Sequence, residues 1–133
     1  MSTERATYVD SSALVKLAVR EEETVALRRY LRRHQTLVAS TLARTEVARA
    51  LLPFGPDAVR HGEEVLARLE LVRVNDRLLR IAGALLPADL RSLDAIHLAT
   101  ASALGKSLRC IVTYDQRMSD AAHALGFDVR APA

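Results

Sequence analysis

Cysteine is nearly missing from this chain. Cys110 stands alone among 133 residues, which excludes an internal disulfide and a cysteine-built metal site. Long hydrophobic runs are missing as well. Mean hydropathy is only +0.05, and no apolar stretch approaches the roughly 18 residues that a membrane span needs. The opening Met1-Ser2-Thr3-Glu4-Arg5 is polar and runs straight into a strand-like segment, so no signal peptide is expected. There is no internal repeat, no low-complexity tract and no interdomain linker. Lysine is scarce: of 19 basic residues only Lys16 and Lys106 are lysine, and the other 17 are arginine. A net charge of +3 is too small to establish a nucleic-acid partner. Arginine does fork onto phosphates, so an arginine-rich surface is compatible with RNA. General overuse of arginine would give the same composition. Only the placement of the acids can decide.

What remains is 50% hydrophobic and 26% charged. That balance predicts one soluble domain over residues 1–133, and the lone cysteine and polar opening lead us to expect it in the cytoplasm with no membrane partner. A chain of this size buries about two-thirds of the surface it exposes when unfolded.

Short apolar runs alternate with helical patterns from end to end. Strands are expected at Ala6 to Asp10, Thr36 to Ala39, Leu71 to Val74, Arg109 to Thr113 and Phe127 to Arg130. Helices are expected at Ser11 to Val19, Glu22 to Arg33, Thr41 to Leu52, Asp57 to Leu69, Asp76 to Leu86, Leu93 to Leu104 and Gln116 to Ala124. Ser40 and Ser92 fit helix N-caps, and Gly105 and Gly126 fit helix stops. Pro53-Phe54-Gly55-Pro56 marks a turn between two helices, and Pro87-Ala88-Asp89 a second loop. Alternation of this kind predicts an α/β fold with a parallel sheet covered on both faces.

Most of the 16 carboxylates sit where a solvated helix face would put them. Four do not. Asp10 ends Thr7-Tyr8-Val9 and precedes a helix, which is the carboxyl end of a strand, where open α/β sheets bind ligands. Asp115 repeats the arrangement after Cys110-Ile111-Val112-Thr113. Each could equally be an N-cap. Asp94 and His97 are the only ionisable residues from Leu93 to Gly105, so the acid starts a helix that is apolar on nearly every side. A first-turn acid also suits the helix dipole. His97, at i+3 from Asp94, is either a metal ligand or a hydrogen-bonded core residue. Glu46 lies inside the candidate helix Thr41 to Leu52, where an ion pair with Arg49 at i+3 is the ordinary expectation.

Carboxylates gathered without a counterion raise one another's pKa values, so convergence of these four would need a cation. An acidic, oxygen-rich cluster without cysteine or a histidine pair suits Mg²⁺ or Mn²⁺ rather than zinc. Such ions orient phosphodiesters and help generate hydroxide, so phosphodiester hydrolysis is the expected chemistry. A haloacid-dehalogenase-type phosphatase would want a second Asp where Ser12 stands. A phosphoacceptor receiver domain would want a Lys near a late strand end, where this chain has Tyr114 and Asp115.

Tyr8-Val9-Asp10-Ser11-Ser12-Ala13-Leu14, then Glu46, then Leu93-Asp94-Ala95-Ile96-His97-Leu98-Ala99-Thr100-Ala101, then Val112-Thr113-Tyr114-Asp115 resembles a PIN-domain nuclease over nearly the whole chain. The pattern is most similar to the VapC toxins of type II toxin–antitoxin pairs. The resemblance implies a three-layer α/β/α domain with a central five-stranded parallel sheet. It also implies an endoribonuclease that uses Mg²⁺ or Mn²⁺ and acts on structured RNA such as tRNA or rRNA. Asp10, Glu46, Asp94 and Asp115 would form the metal pocket, with Ser12 and Thr113 as hydrogen-bonding supports. Asp120 would lie at the pocket edge or face solvent. A VapB-like antitoxin would be the partner, in a complex containing a toxin homodimer. A non-catalytic RNA- or protein-binding module on the same fold is the alternative. The run Arg28-Arg29-Tyr30-Leu31-Arg32-Arg33 is either a phosphate contact or an ordinary solvated helix face with Tyr30 and Leu31 inward.

Overall fold

A computed structural model describes residues 5–34 and 36–133. Residues 1–4, and with them most of the polar opening stretch, lie outside the described residues. Five strands form one parallel sheet: β1 (Ala6–Val9), β2 (Leu37–Ser40), β3 (Glu70–Val72), β4 (Leu108–Val112) and β5 (Val129–Arg130). Their order is β3-β2-β1-β4-β5. The chain therefore winds outward from β1 in one direction and then returns to its other side, which places the topological switch between β1 and β4. In such a sheet the crevice beyond the strand ends at the switch receives ligands. Asp10 and Thr113 directly follow the two strands that flank it.

Alternation along the strands feeds two cores. Val9, Ala39, Cys110 and Val112 face one layer, made of α1 (Ser11–Ala18), α2 (Thr24–Arg33), α3 (Ala43–Leu51) and α4 (Pro56–Leu66). Ala6, Tyr8, Val38 and Ile111 face the other, where α6 (Ser92–Ser102) and α7 (Gln116–Ala124) pack with Leu98, Ala101, Met118 and Ala122. The remaining helix, α5 (Asp76–Gly83), lies on α6 through Ala82, Ala95 and Ala99. This is the expected α/β/α arrangement. Period-2 burial on both sheet faces explains why the strands read as continuous apolar runs.

Several helix ends differ from the sequence reading. Ser40 closes β2 rather than capping α3, although its hydroxyl accepts the Leu42 N–H at 3.1 Å. Ser92 is the first residue of α6, whose N-cap position belongs to Arg91. Helix α6 stops at Ser102, and Gly105 opens a short 3₁₀ turn instead of ending the helix. Pro53 breaks α3 into a 3₁₀ turn at Leu52–Phe54, because proline cannot donate the next helical hydrogen bond. Gly126, at φ 88°, does follow α7 as a helix stop. Gly62 in α4 has a packing reason to be glycine, since a Cβ there would lie 2.5 Å from Leu51 Cδ1 on α3.

Candidate active site

Strand β1 delivers Asp10 to the switch crevice in extended backbone, φ −74° and ψ 158°, at the N-cap position of α1. Its side chain makes no cap. The Oδ2 atom instead accepts hydrogen bonds from Thr113 Oγ1 at 2.8 Å and Ser12 Oγ at 3.1 Å. Asp10 is 6% exposed. Asp115 has the opposite local fate: its Oδ1 caps α7 by accepting the N–H groups of Arg117 and Met118 at 2.9 and 3.3 Å. Two acids that look alike in sequence thus do different work. The hydroxyls of Ser12 and Thr113 stitch β1 to β4, with Ser12 also accepting the Tyr114 N–H at 2.9 Å.

Glu46 makes no ion pair with Arg49 among the described residues. It turns into the fold, where its Oε1 accepts Ser11 Oγ–H at 2.8 Å and meets His97 Nε2 at 2.6 Å. His97 is 2% exposed, and its Nδ1 lies 2.6 Å from the Tyr8 hydroxyl. Burial pushes the His97 pKa down. The Glu46 hydrogen bond and the fields of Asp10, Glu46 and Asp94 outweigh it and hold the value above 6.5. Burial raises the Glu46 pKa, but the His97 bond and charge and the Ser11 bond leave it below its usual 4.5. Tyr8 is driven well above 10 by burial first and then by Asp10 and Glu46, so it stays neutral. The buried core role for His97 is the one the structure supports.

Asp94, on the first turn of α6, is also buried. Its Oδ2 accepts Arg91 Nε–H at 3.2 Å, and the same guanidinium reaches Asp115 Oδ2 at 3.6 Å. Arg91 escapes sequence reasoning because it lies just outside the apolar helix pattern and is exposed. An arginine three residues before the buried acid was the available signal. Beside this group a cavity of about 470 Å³ runs between α6 and α7, with Arg91, Asp94, Arg117 and Asp120 on its walls. Asp120 is exposed and held at 2.7 Å by Gln116. In the Arg28–Arg33 stretch, Leu31 is buried and Tyr30 half-buried, while the four arginines face solvent.

The four acids form two groups: Asp10 and Glu46 around His97, and Asp94 and Asp115 around Arg91. Each carboxylate has one oxygen held by hydrogen bonds and one that accepts none among the described residues: Asp10 Oδ1, Glu46 Oε2, Asp94 Oδ1 and Asp115 Oδ2. As they stand, no three His, Cys, Asp or Glu side chains among the described residues form a closed ion cage. The donor chemistry fits a hard divalent cation: carboxylate oxygens with hydroxyls behind them, and no thiolate. A cation held by Asp94 and Asp115 would share their charge with the Arg91 guanidinium.

A family model described as PIN domain matches residues 7–124. The chain is 59% identical to Ribonuclease VapC46 of Mycobacterium tuberculosis over 128 residues, covering 96% of this chain and 98% of that protein. It is 42% identical to Ribonuclease VapC35 of the same species over 130 residues, 94% of this chain and 96% of that protein. The crystal structure of M. tuberculosis VapC20, described as a sarcin-ricin loop cleaving toxin, superimposes with a TM-score of 0.75 at 20% identity. It covers 96% of this chain and 99% of that one. At that identity the superposition speaks for the fold alone.

Proposed function

The chain belongs to the PIN-domain family as a VapC-type ribonuclease toxin, and from that premise we propose that it is an endoribonuclease that hydrolyses RNA phosphodiesters with Mg²⁺, or with Mn²⁺ in its place. The observation that carries the proposal is the set of four acids around the β1/β4 switch, each with one oxygen anchored by hydrogen bonds and one that accepts none among the described residues. Asp10, Glu46, Asp94 and Asp115 are the residues that would hold the ion. When bound, a divalent cation supplies charge neutralisation at the phosphodiester and lowers the pKa of water at neutral pH.

The protein's own residues do the rest. Ser12 and Thr113 fix Asp10, so its carboxylate needs no reorganisation when substrate arrives. Arg91 and Arg117, on the cavity wall beside Asp94, offer guanidinium forks to the flanking phosphates of a strand laid across the site. His97 is too deeply buried to meet substrate, so it does not act as an acid or base on RNA.

The whole of residues 1–133 works as one nuclease domain in this proposal. Structured RNA, tRNA or rRNA, is the substrate class. A VapB-like antitoxin neutralises the enzyme in the cytoplasm within a complex built on a toxin homodimer. No helix among the described residues is long and apolar enough to cross a membrane. The purified chain, free of antitoxin, should cleave RNA in Mg²⁺ or Mn²⁺ and stop in chelator. Asp10→Asn and Asp94→Asn should each lose most of the activity while remaining folded. Cleavage that survives chelation, or that both variants retain, overturns the proposal.

A further inference from the structure

We propose that His97 is the positioning residue for Glu46, held in place by Tyr8, and that it restricts Glu46 to a single working oxygen, Oε2. This rests on the metal-site reading above and adds to it a residue that touches neither ion nor RNA. The Oε1 atom receives two donors, Ser11 Oγ–H at 2.8 Å from α1 and His97 Nε2–H at 2.6 Å from α6. Two donors fill the two lone pairs of one carboxylate oxygen. Only Oε2 then remains to meet a cation or a water. Glu46 is therefore a monodentate group whose carboxylate plane is set by two helices other than its own.

The imidazole is itself pinned. Tyr8 stands on β1, fully buried, and its O–H lies 2.6 Å from His97 Nδ1. A neutral tyrosine donates to Nδ1, which puts the ring hydrogen on Nε2, facing Glu46. If the imidazole takes up a second proton, Nδ1–H donates to the Tyr8 oxygen instead, the Nε2–H remains and the bond to Glu46 persists. The arrangement works in either charge state. The chain Tyr8–His97–Glu46–Ser11 thus ties β1, α6, α3 and α1 together at one carboxylate. Ring orientation of this kind is the role that outer partners play around metal sites, where their loss costs about 10–100-fold in affinity.

Manganese binding tests the inference directly, with Mn²⁺ as the probe and the free ion followed by its paramagnetic resonance signal. His97→Met keeps apolar bulk and removes the donor, and should weaken Mn²⁺ binding about 10–100-fold. His97→Gln restores an N–H near the position of Nε2 and should recover most of that loss. In a Glu46→Gln background, His97→Met should cost less than about twofold further, because the group it positions is already gone. Equal costs in both backgrounds, or wild-type affinity in His97→Met, overturn the inference. Tyr8→Phe keeps the ring but frees Nδ1, and should lose several-fold in affinity. It decides the question if His97→Met does not fold, and an unchanged affinity there also counts against the inference. Asp10→Asn separates the two levels: if it binds Mn²⁺ like wild type, the metal site itself is wrong. If Asp10→Asn loses binding while the His97 variants keep it, only the role of His97 fails.

Discussion

Arg91→Gln should make the ion-free protein less stable than wild type, and this deficit should shrink or reverse when the ion is bound. The guanidinium bridges Asp94 at 3.2 Å and Asp115 at 3.6 Å, with side-chain exposures of 54% for Arg91 and 12% for Asp94. Half of the arginine is in water, so the pair is worth about 0.5–1 kcal/mol after solvent screening, not the value of a buried bridge. For a chain of this size that corresponds to a melting temperature lower by about 2–4 °C in chelator. Divalent ion reverses the balance. A cation shared by Asp94 and Asp115 meets the positive charge of Arg91 between them, and glutamine offers no such charge to compete. If the affinity for Mn²⁺ rises tenfold, saturating ion adds about 1.4 kcal/mol more stabilisation to the variant than to wild type. The melting gap seen in chelator should therefore close or invert in Mn²⁺. Thermal melts of both proteins, with chelator and with a series of Mn²⁺ concentrations, measure every term. An identical gap at all Mn²⁺ concentrations would refute the reasoning, because Arg91 would then not stand where the ion needs its ligands.

In chelator, the His97–Glu46 pair has a pH signature with a fixed sign. The folded pKa of His97 is raised above 6.5, so its contribution is full below 6.5 and is lost as pH rises through the folded value. That of Glu46 is lowered below 4.5, so its contribution is present above 4.5 and is lost as pH falls through the folded value. The stability gap between wild type and Glu46→Gln should be widest between pH 4.5 and 6.5, and a gap that keeps growing above 6.5 contradicts this. Gly62→Ala should destabilise by about 1–2 kcal/mol, since overpacking outweighs the helix propensity gained. The new methyl would meet Leu51 Cδ1 at 2.5 Å and Val47 Cγ1 at 3.1 Å, and a denaturant midpoint at or above that of wild type would show that the core yields.

Much of the fold was legible because its signals are local. Apolar runs bounded by acids and serines mark β1 and β4, and Gln116 to Ala124 is helical over the span that its sequence predicts. Helix ends were less legible: Thr41 and Leu42 read as helix but form the turn after β2, and Arg91 rather than Ser92 takes the N-cap position of α6. The candidate residues were visible one by one, but their partners were not. Asp10 and Asp115 share the same local setting, a strand end before a helix. What separates them is Thr113, which lies 103 positions from Asp10 and reaches it only because β4 pairs with β1. Glu46 has an arginine at i+3, yet a histidine 51 positions away holds it, because burial favours a partner already inside. Arg91 is invisible to periodicity, since a half-exposed residue before a helix leaves no pattern.

The chemistry of the cut ends tests the central claim most directly. Water attacking a phosphodiester at an acidic metal site leaves a linear phosphate monoester on one fragment and a free hydroxyl on the other. Attack by the ribose 2′-hydroxyl would leave a 2′,3′-cyclic phosphate, and without a metal it needs an exposed acid–base pair. Among the described residues the one histidine near the acids, His97, is 2% exposed and bonded at both nitrogens. Mass spectrometry of the fragments released in Mg²⁺ should therefore find linear phosphate ends and no cyclic phosphate. Cyclic ends that appear at the same rate in chelator would contradict the account.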